Sequence, residues 1–161
     1  MRRERGFTYI ALLIGVAIMG VVLAAAGQLW ETAQKREKER ELLFIGGEFR
    51  RAIAQYSDRS PNPVLRYPLR LEDLLKDPRY PMPQRYLRKI YADPMTGTTQ
   101  WGLVKGASGE IYGVYSLSDD MPLKTANFDP VDNQFEGRKK YSEWVFTSLR
   151  GPALNPVRKT P

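Results

Sequence analysis

Residues 5–30 read RGFTYIALLIGVAIMGVVLAAAGQLW, and after Arg5 this stretch contains no charged residue. As a helix, these roughly 25 uncharged positions rise about 37 Å, enough to cross the hydrocarbon core of a bilayer. The large side chains are apolar on every face of such a helix, so lipid or other protein must surround them. The stretch therefore predicts a helix over residues 7–30 that spans a membrane or lies in the core of an assembly.

The charges before this helix set its predicted orientation. Arg2, Arg3 and Arg5 are offset only by Glu4. Basic residues resist translocation, which keeps the N-terminus in the cytoplasm while the rest of the chain is exported. Trp30 then falls at the far interface, where an indole ring is well accommodated. We expect a single-pass protein of the inner membrane whose head lies in the periplasm.

Two other kinds of N-terminal segment compete with this interpretation. A secretory signal peptide has a shorter apolar run followed by small residues at its cleavage site, a pattern that Ala24-Ala25-Ala26-Gly27 resembles. Here the run is long and the helical pattern continues beyond it, which argues against a cut at that point. The other alternative is an uncleaved signal-anchor that holds a periplasmic binding or scaffold protein.

The start of the helix carries a more specific pattern. Arg5-Gly6-Phe7-Thr8-Tyr9-Ile10, followed by a long apolar helix, resembles the type IV prepilin motif. The resemblance implies a leader over residues 1–6, which a prepilin peptidase removes by cutting between Gly6 and Phe7 before it methylates the new N-terminal Phe7. Gly6 suits this cut because it lets the backbone enter the peptidase in an extended form. The resemblance also implies assembly with other pilin-type subunits through the apolar helix.

Ala11 departs from the family pattern. At this fifth mature position the family usually carries Glu, whose carboxylate offsets the N-terminal amine of a neighbouring subunit in an apolar setting. A charge left there without a partner would be costly, and Ala11 supplies no such partner. The departure leaves the predicted cleavage unchanged and favours a minor subunit, since in related systems a missing Glu marks subunits at the tip or start of a filament.

Residues 31–57 continue the helix in amphipathic form. We interpret the mixed charges from Lys35 to Glu41 as a solvated helical face rather than as a lipid-headgroup anchor. Gly46-Gly47 interrupts the following apolar pattern and indicates a bend or close packing. Apolar residues recur at three- and four-residue steps and predict a stripe that a head domain covers: Leu42, Ile45, Phe49, Ala52, Ile53 and Tyr56.

Residues 58–150 are expected to form one globular head with a small antiparallel sheet. A short helix is predicted around 69–75, and Asp93-Pro94 begins a turn. Strands are predicted at 101–104, 110–117 and 143–149. Residues 151–161 are predicted to be a loose tail. The predicted fold class is α+β: a long N-terminal helix, with a membrane half and an amphipathic half, packed on a small antiparallel sheet as in pilins.

This layout resembles the G-type pseudopilin of type II secretion. Tyr67-Pro68 and a Leu-rich helix follow the long helix, and Tyr86-Leu87-Arg88-Lys89 with the Asp93-Pro94 turn leads into the sheet. The resemblance implies a non-catalytic structural subunit of a pseudopilus, which a secretion assembly platform in the inner membrane builds to support protein export. A minor pilin of a type IV pilus or of a DNA-uptake system is the alternative within the family.

The segment Tyr115-Ser116-Leu117-Ser118-Asp119-Asp120 resembles the start of the calcium loop of these pseudopilins, which closes shortly before a Trp, here Trp144. The cations Arg138-Lys139-Lys140, however, stand where the family places late acidic ligands, and they oppose a bound cation. The alternative, an ordinary loop whose acids cap turns, is favoured. The resemblance implies calcium ligands among the acidic residues of this span, whose carboxylates suit the ion's preference for oxygen: Asp119, Asp120, Asp129, Asp132 and Glu136.

The amino-acid composition excludes several classes of function. The 161-residue chain contains no Cys and no His. This excludes Cys and His nucleophiles, His general bases, thiolate zinc sites and disulfides. The net charge is +7, but beyond the N-terminus the charges of both signs interleave, and the head tyrosines are better explained by sheet packing than by a nucleic-acid surface. We therefore expect neither an enzyme nor a nucleic-acid-binding protein.

Overall fold

The computed structural model describes residues 5–61 and 66–148, and within these ranges it leaves out the side chains of residues 5–8 and 24–29. The predicted loose tail, 151–161, and the first four residues of the predicted leader lie outside the described residues. The chain divides into two compact units, Met1–Glu37 and Lys38–Pro161.

One α-helix, α1, comprises Arg5–Asp58 and has 54 residues. Its sequence contains no proline, and both the apolar run and the mixed-charge run favour helix over extended backbone. The helix ends shortly before Pro61, whose ring and missing N–H are incompatible with a continuing helix. The long helix predicted over residues 7–57 is confirmed.

The part of α1 in the second unit buries one face, as its periodicity predicts. This face packs into a single hydrophobic core, and each large apolar side chain in it contributes about 1.5–3 kcal/mol by leaving water. The helix continues through Gly46-Gly47, so this pair does not end or interrupt the helix. No residue of the predicted stripe is more than 3% exposed: Leu42, Ile45, Phe49, Ala52, Ile53 and Tyr56.

Three antiparallel strands form the sheet, in the order β1-β2-β3: Gly102–Lys105, Ile111–Tyr115 and Val145–Thr147. The β1/β2 register shifts between Val104 and Lys105, and Val114 of β2 pairs with Phe146 of β3. Three strands are confirmed near their predicted positions. The third begins later than predicted because Tyr141–Glu143 forms a 3₁₀ turn directly before it.

Aromatic side chains fill the core of the second unit. Phe135 lies 5.0 Å from Phe146 and stacks on Trp144 at 5.5 Å, measured between ring centroids. Phe49 of α1 lies 5.2 Å from Trp101, which precedes β1. Stacked and edge-to-face pairs of this kind add to the free energy gained from area burial. The contacts attach this part of α1 firmly to the sheet.

Short turns replace the predicted helix between α1 and the sheet. Only a 3₁₀ turn forms, Leu71–Leu74, and the Asp73 carboxylate accepts hydrogen bonds from the N–H groups of Leu69 and Arg70 at 3.2 and 3.0 Å. The predicted turn at Asp93-Pro94 is confirmed. The buried Asp93 carboxylate accepts the N–H of Met95 at 2.9 Å and the O–H of Ser116 at 2.7 Å, which joins the turn to the end of β2.

Candidate functional site

The first unit presents a helical surface that is apolar on all sides. The side chains of residues 9–23, here called the apolar segment, are all exposed, and none of them is charged. Monomeric soluble proteins rarely expose contiguous apolar patches beyond a few hundred Å². This surface is therefore suited to contact with lipid or with other protein. Its large side chains are between 51% and 70% exposed: Tyr9, Ile10, Leu12, Leu13, Ile14, Val16, Ile18, Met19, Val21, Val22 and Leu23.

The predicted processing residues lie at the start of α1. Gly6 and Phe7 belong to its first turns, and the side chain of Phe7 lies outside the described ones. Ala11 is exposed within the apolar segment. Cleavage between Gly6 and Phe7, methylation of Phe7 and an assembly contact at Ala11 stay predictions.

Among the residues that the structure describes, none of the helices combines the length and the apolar character needed to cross a membrane. The predicted spanning segment, 7–30, includes side chains at 7, 8 and 24–29 that lie outside the described ones. The spanning helix stays a prediction.

In the second unit, Glu39 of α1 is a buried carboxylate that binds a distant loop. Its Oε1 accepts hydrogen bonds from the N–H of Leu123 at 2.5 Å, the N–H of Lys124 at 3.2 Å and the O–H of Tyr141 at 2.8 Å. Burial and the hydrogen bond to Glu39 raise the pKa of Tyr141 above its usual value. The phenol therefore remains protonated and donates to the carboxylate.

The interpretation of Lys35 to Glu41 as a solvated face is wrong for Glu39, which is only 4% exposed. Glu39 lies three residues before Leu42 and so extends the buried stripe by one helical step. That spacing is the signal that sequence analysis missed. A carboxylate on a buried face is tolerated only when donors surround it, and the loop supplies them.

A buried ion pair connects α1 to the same loop. Arg50 Nη2 lies 2.6 Å from Asp132 Oδ1, and both side chains are 10% exposed or less. The Arg50 guanidinium also lies 5.5 Å from the centroid of the Phe146 ring. Sequence analysis missed Arg50 because charged residues beside a helical stripe are usually solvated.

The predicted calcium ligands are divided among other partners. Asp119 accepts a hydrogen bond from the hydroxyl of Ser142 at 2.8 Å and lies 3.5 Å from Lys140 Nζ, while Asp132 is committed to its ion pair. In the part of the chain that the structure describes, no three acidic residues are grouped so as to hold a metal ion. The remaining predicted ligands are exposed: Asp120, Asp129 and Glu136. This donor set does not fit a calcium loop, and calcium stays a prediction without support from the geometry.

Another polar cluster, formed by residues between 77 and 86, lies beside the C-terminal end of α1. Asp77 is buried, and its carboxylate accepts hydrogen bonds from Arg79 Nε and Nη2 at 2.9 and 2.7 Å and from the O–H of Tyr86 at 3.0 Å. Arg79 also lies over the Tyr56 ring, with its Cζ 3.5 Å from the centroid. Burial alone would raise the pKa of Asp77, but the hydrogen bonds from Arg79 and Tyr86 outweigh it and lower the pKa. Burial raises the pKa of Tyr56 to about 12.

Comparison with known families supports the resemblance at the N-terminus. Residues 1–27 match the family described as the prokaryotic N-terminal methylation motif. The match supports a type IV pilin-like subunit with prepilin-type processing and methylation, and it covers the segment in which the leader and the start of the apolar helix are predicted. A comparison with curated proteins and a comparison with solved structures each found no match.

Proposed function

We propose that this chain is a pilin-like structural subunit of a type II secretion pseudopilus, cut between Gly6 and Phe7 and assembled through α1 to support protein export. The observation that carries the proposal is the methylation motif over residues 1–27, which includes the apolar segment, residues 9–23, where the side chains are apolar on every face of α1. In the proposed function, the processing site precedes a helix that stays in the membrane after the cut. Processing then frees a subunit for assembly without releasing it from the bilayer.

The exposed surface of the apolar segment supports assembly as the mode of action. A helix that is apolar all round is stable only where lipid or protein surrounds it. In the proposed function, residues 7–30 lie first in the inner membrane, with the N-terminus in the cytoplasm and the head in the periplasm. The same side chains then pack against other subunits in the pseudopilus, once the assembly platform extracts them from the bilayer.

The polar clusters of the second unit support a structural rather than a catalytic role. The buried carboxylates of Glu39, Asp77 and Asp93 accept hydrogen bonds that fasten loops and turns, and Asp132 pairs with Arg50. A catalytic carboxylate is instead expected in a cleft that a substrate reaches. We therefore assign no reaction to this chain.

Ala11 favours a minor subunit as a second candidate role. Lacking the carboxylate that offsets a neighbour's N-terminal amine, the chain is suited to the tip or start of a filament, where no such neighbour is needed. A minor pilin of a type IV pilus or a DNA-uptake system is the corresponding alternative outside secretion. Binding of the head to DNA with a steep salt dependence would favour that alternative.

Mass spectrometry of the mature N-terminus tests the processing step. We expect a chain that begins with N-methylated Phe7. The control is Gly6→Val, whose branched side chain disfavours entry into the peptidase and should leave Met1 in place. An intact Met1 in the unaltered chain, or a cut after Ala26, would contradict the proposal and support a signal-anchored or secreted protein.

Disulfide cross-linking tests the assembly step, because the chain has no Cys of its own. Val16→Cys and Ile18→Cys, two residues and about 200° apart on the helix, lie on opposite faces and can link one subunit to two neighbours. Oxidation of cells should give a ladder of covalent multimers. The same pair in a Gly6→Val chain should give none beyond chance dimers, and equal ladders from both chains would show that processing does not lead to assembly.

A further inference from the structure

We infer that Glu39 of α1, and no calcium ion, closes the loop between β2 and β3 in this chain. This loop, residues 116–144, is roughly 30 residues long, against about 12–15 for most loops, and its regular structure is limited to the 3₁₀ turns Pro130–Phe135 and Tyr141–Glu143. Buried aromatic side chains such as Phe135 and Trp144 hold part of the loop in the core, and the remaining parts need contacts of their own. The resemblance to G-type pseudopilins assigns that task to calcium, while the contacts of the described residues assign it to a carboxylate from the long helix.

The geometry at Glu39 joins two separate parts of the loop to one atom. Oε1 accepts the N–H groups of Leu123 and Lys124 from one part and the O–H of Tyr141 from the other. A bound cation gathers carbonyl and carboxylate oxygens around a positive centre. Here the arrangement is reversed, because a buried negative oxygen gathers hydrogen-bond donors. Glu39 therefore joins the two parts of the loop as a calcium ion would, but through a negative charge instead of a positive one.

Further contacts use two of the five acidic residues that the resemblance implies as calcium ligands. Asp119 accepts a hydrogen bond from the hydroxyl of Ser142 and lies 3.5 Å from Lys140 Nζ, and these contacts join the start of the loop to its end. Asp132 pairs with Arg50 and fixes the middle of the loop to α1. A calcium ion would have to displace these cations from both carboxylates. The loop is therefore already closed by protein groups.

Thermal unfolding of the full chain in detergent, with millimolar calcium chloride or with excess EGTA, tests the absence of a metal requirement. A ligand that binds only the folded state raises the Tm. We expect the two Tm values to agree within about 1 °C, the scale of a negligible linkage effect. A Tm that falls by several degrees in EGTA and recovers with calcium would overturn the inference.

Hydrogen exchange tests the positive role of Glu39. In Glu39→Ala, the amides of Leu123 and Lys124 lose their acceptor and should exchange about tenfold faster or more, the loss expected for hydrogen bonds to a charged group. Glu41→Ala, an exposed carboxylate two residues away, is the matched control and should leave these amides unchanged. Unchanged exchange in Glu39→Ala, or protection restored there by calcium, would overturn the inference.

Two milder variants keep the test informative if Glu39→Ala does not fold. Glu39→Gln keeps an acceptor oxygen without the charge and should give exchange rates between those of the unaltered chain and Glu39→Ala. Tyr141→Phe removes one donor and should speed exchange at Leu123 less than Glu39→Ala does. Because these readouts do not require filament assembly, their failure is distinguishable from failure of the proposed function.

Discussion

Gly46 of α1 lies directly against the ring of Phe146 of β3. A Cβ added at Gly46 would meet three carbons of that ring more closely than real Cβ atoms approach other heavy atoms. The ring has little room to move, because Phe146 is fully buried and packs edge-to-face on Phe135. The absence of a side chain at Gly46 therefore sets how closely the helix and the sheet approach.

Gly46→Ala should destabilise the head, although Ala is the better helix former. The added methyl group forces the Phe146 ring out of place, at a cost of about 1–3 kcal/mol for overpacking. Gly47→Ala is the matched control, since nothing lies within 4 Å of a Cβ at Gly47. It should stabilise the helix by about 0.5–1 kcal/mol. Urea unfolding followed by Trp fluorescence measures both changes, and a stabilised Gly46→Ala would contradict the close packing.

Removal of Arg50 should be among the most damaging single changes in the second unit. Arg50→Met leaves the Asp132 carboxylate buried without its cation, which typically costs about 3–5 kcal/mol of unfolding free energy. Arg51→Met is the control one residue later, because Arg51 pairs with Glu48 on the surface and is 63% exposed; it should cost less than about 1 kcal/mol.

The double variant Arg50→Met with Asp132→Leu checks the cause of that loss. It removes both buried charges and should recover much of the stability that Arg50→Met loses. The same urea titration measures it. Equal losses in Arg50→Met and Arg51→Met, or no recovery in the double variant, would show that the buried pair does not fix the loop.

The sequence predicts the elements whose signals are local. The long helix follows from the lack of proline between Arg5 and Asp58 and from a regular apolar step between Leu42 and Tyr56. The strand predictions rely on alternation and flanking turns, and their centres are right. The start of β3 is wrong by two residues because the N–H of Trp144 bonds the carbonyl of Tyr141, a turn that no local pattern indicated.

The polar contacts could not be predicted in the same way, because their partners are distant in sequence. Glu39 meets Tyr141 across 102 positions, and Arg50 meets Asp132 across 82. A single sequence shows that Glu39 continues the buried stripe, but not which donors satisfy it. The predicted calcium loop shows why distant partners are hard to predict. The motif from Ser116 to Asp120 carries no information on whether Asp132 faces a metal or an arginine.

The stability contributed by Asp77 should depend on pH in the acid range. Its pKa in the folded protein lies below the value of about 3.9 typical of unfolded chains. The ionised carboxylate therefore stabilises the fold fully above about pH 4, and this contribution disappears as the pH falls through the folded pKa. Asp77→Asn should lower the Tm most at pH 7, and its difference from the unaltered chain should shrink as the pH falls below about 4.

An exposed carboxylate close by provides the control for this pH dependence. Glu72→Gln changes a side chain on the solvent side of the 3₁₀ turn and should alter the Tm little at any pH. The measurement is a series of thermal melts between about pH 2.5 and 7. A Tm difference for Asp77→Asn that stays constant across this range would mean that Asp77 acts through packing and not through its charge.

Ala11→Glu tests whether the departure at this position limits assembly. Together with cleavage before Phe7, the new carboxylate would pair with the N-terminal amine of a neighbouring subunit, as the resemblance to pilins implies. The share of the chain recovered in sheared filaments should therefore rise severalfold above that of the unaltered chain.

The control is Ala17→Glu, which introduces the same charge six positions further along the apolar segment, where no amine lies. A carboxylate at membrane depth costs about 2.5–3.5 kcal/mol. That control should lower the filament share, and an equal loss in Ala11→Glu would show that the helix of this chain does not use the amine contact.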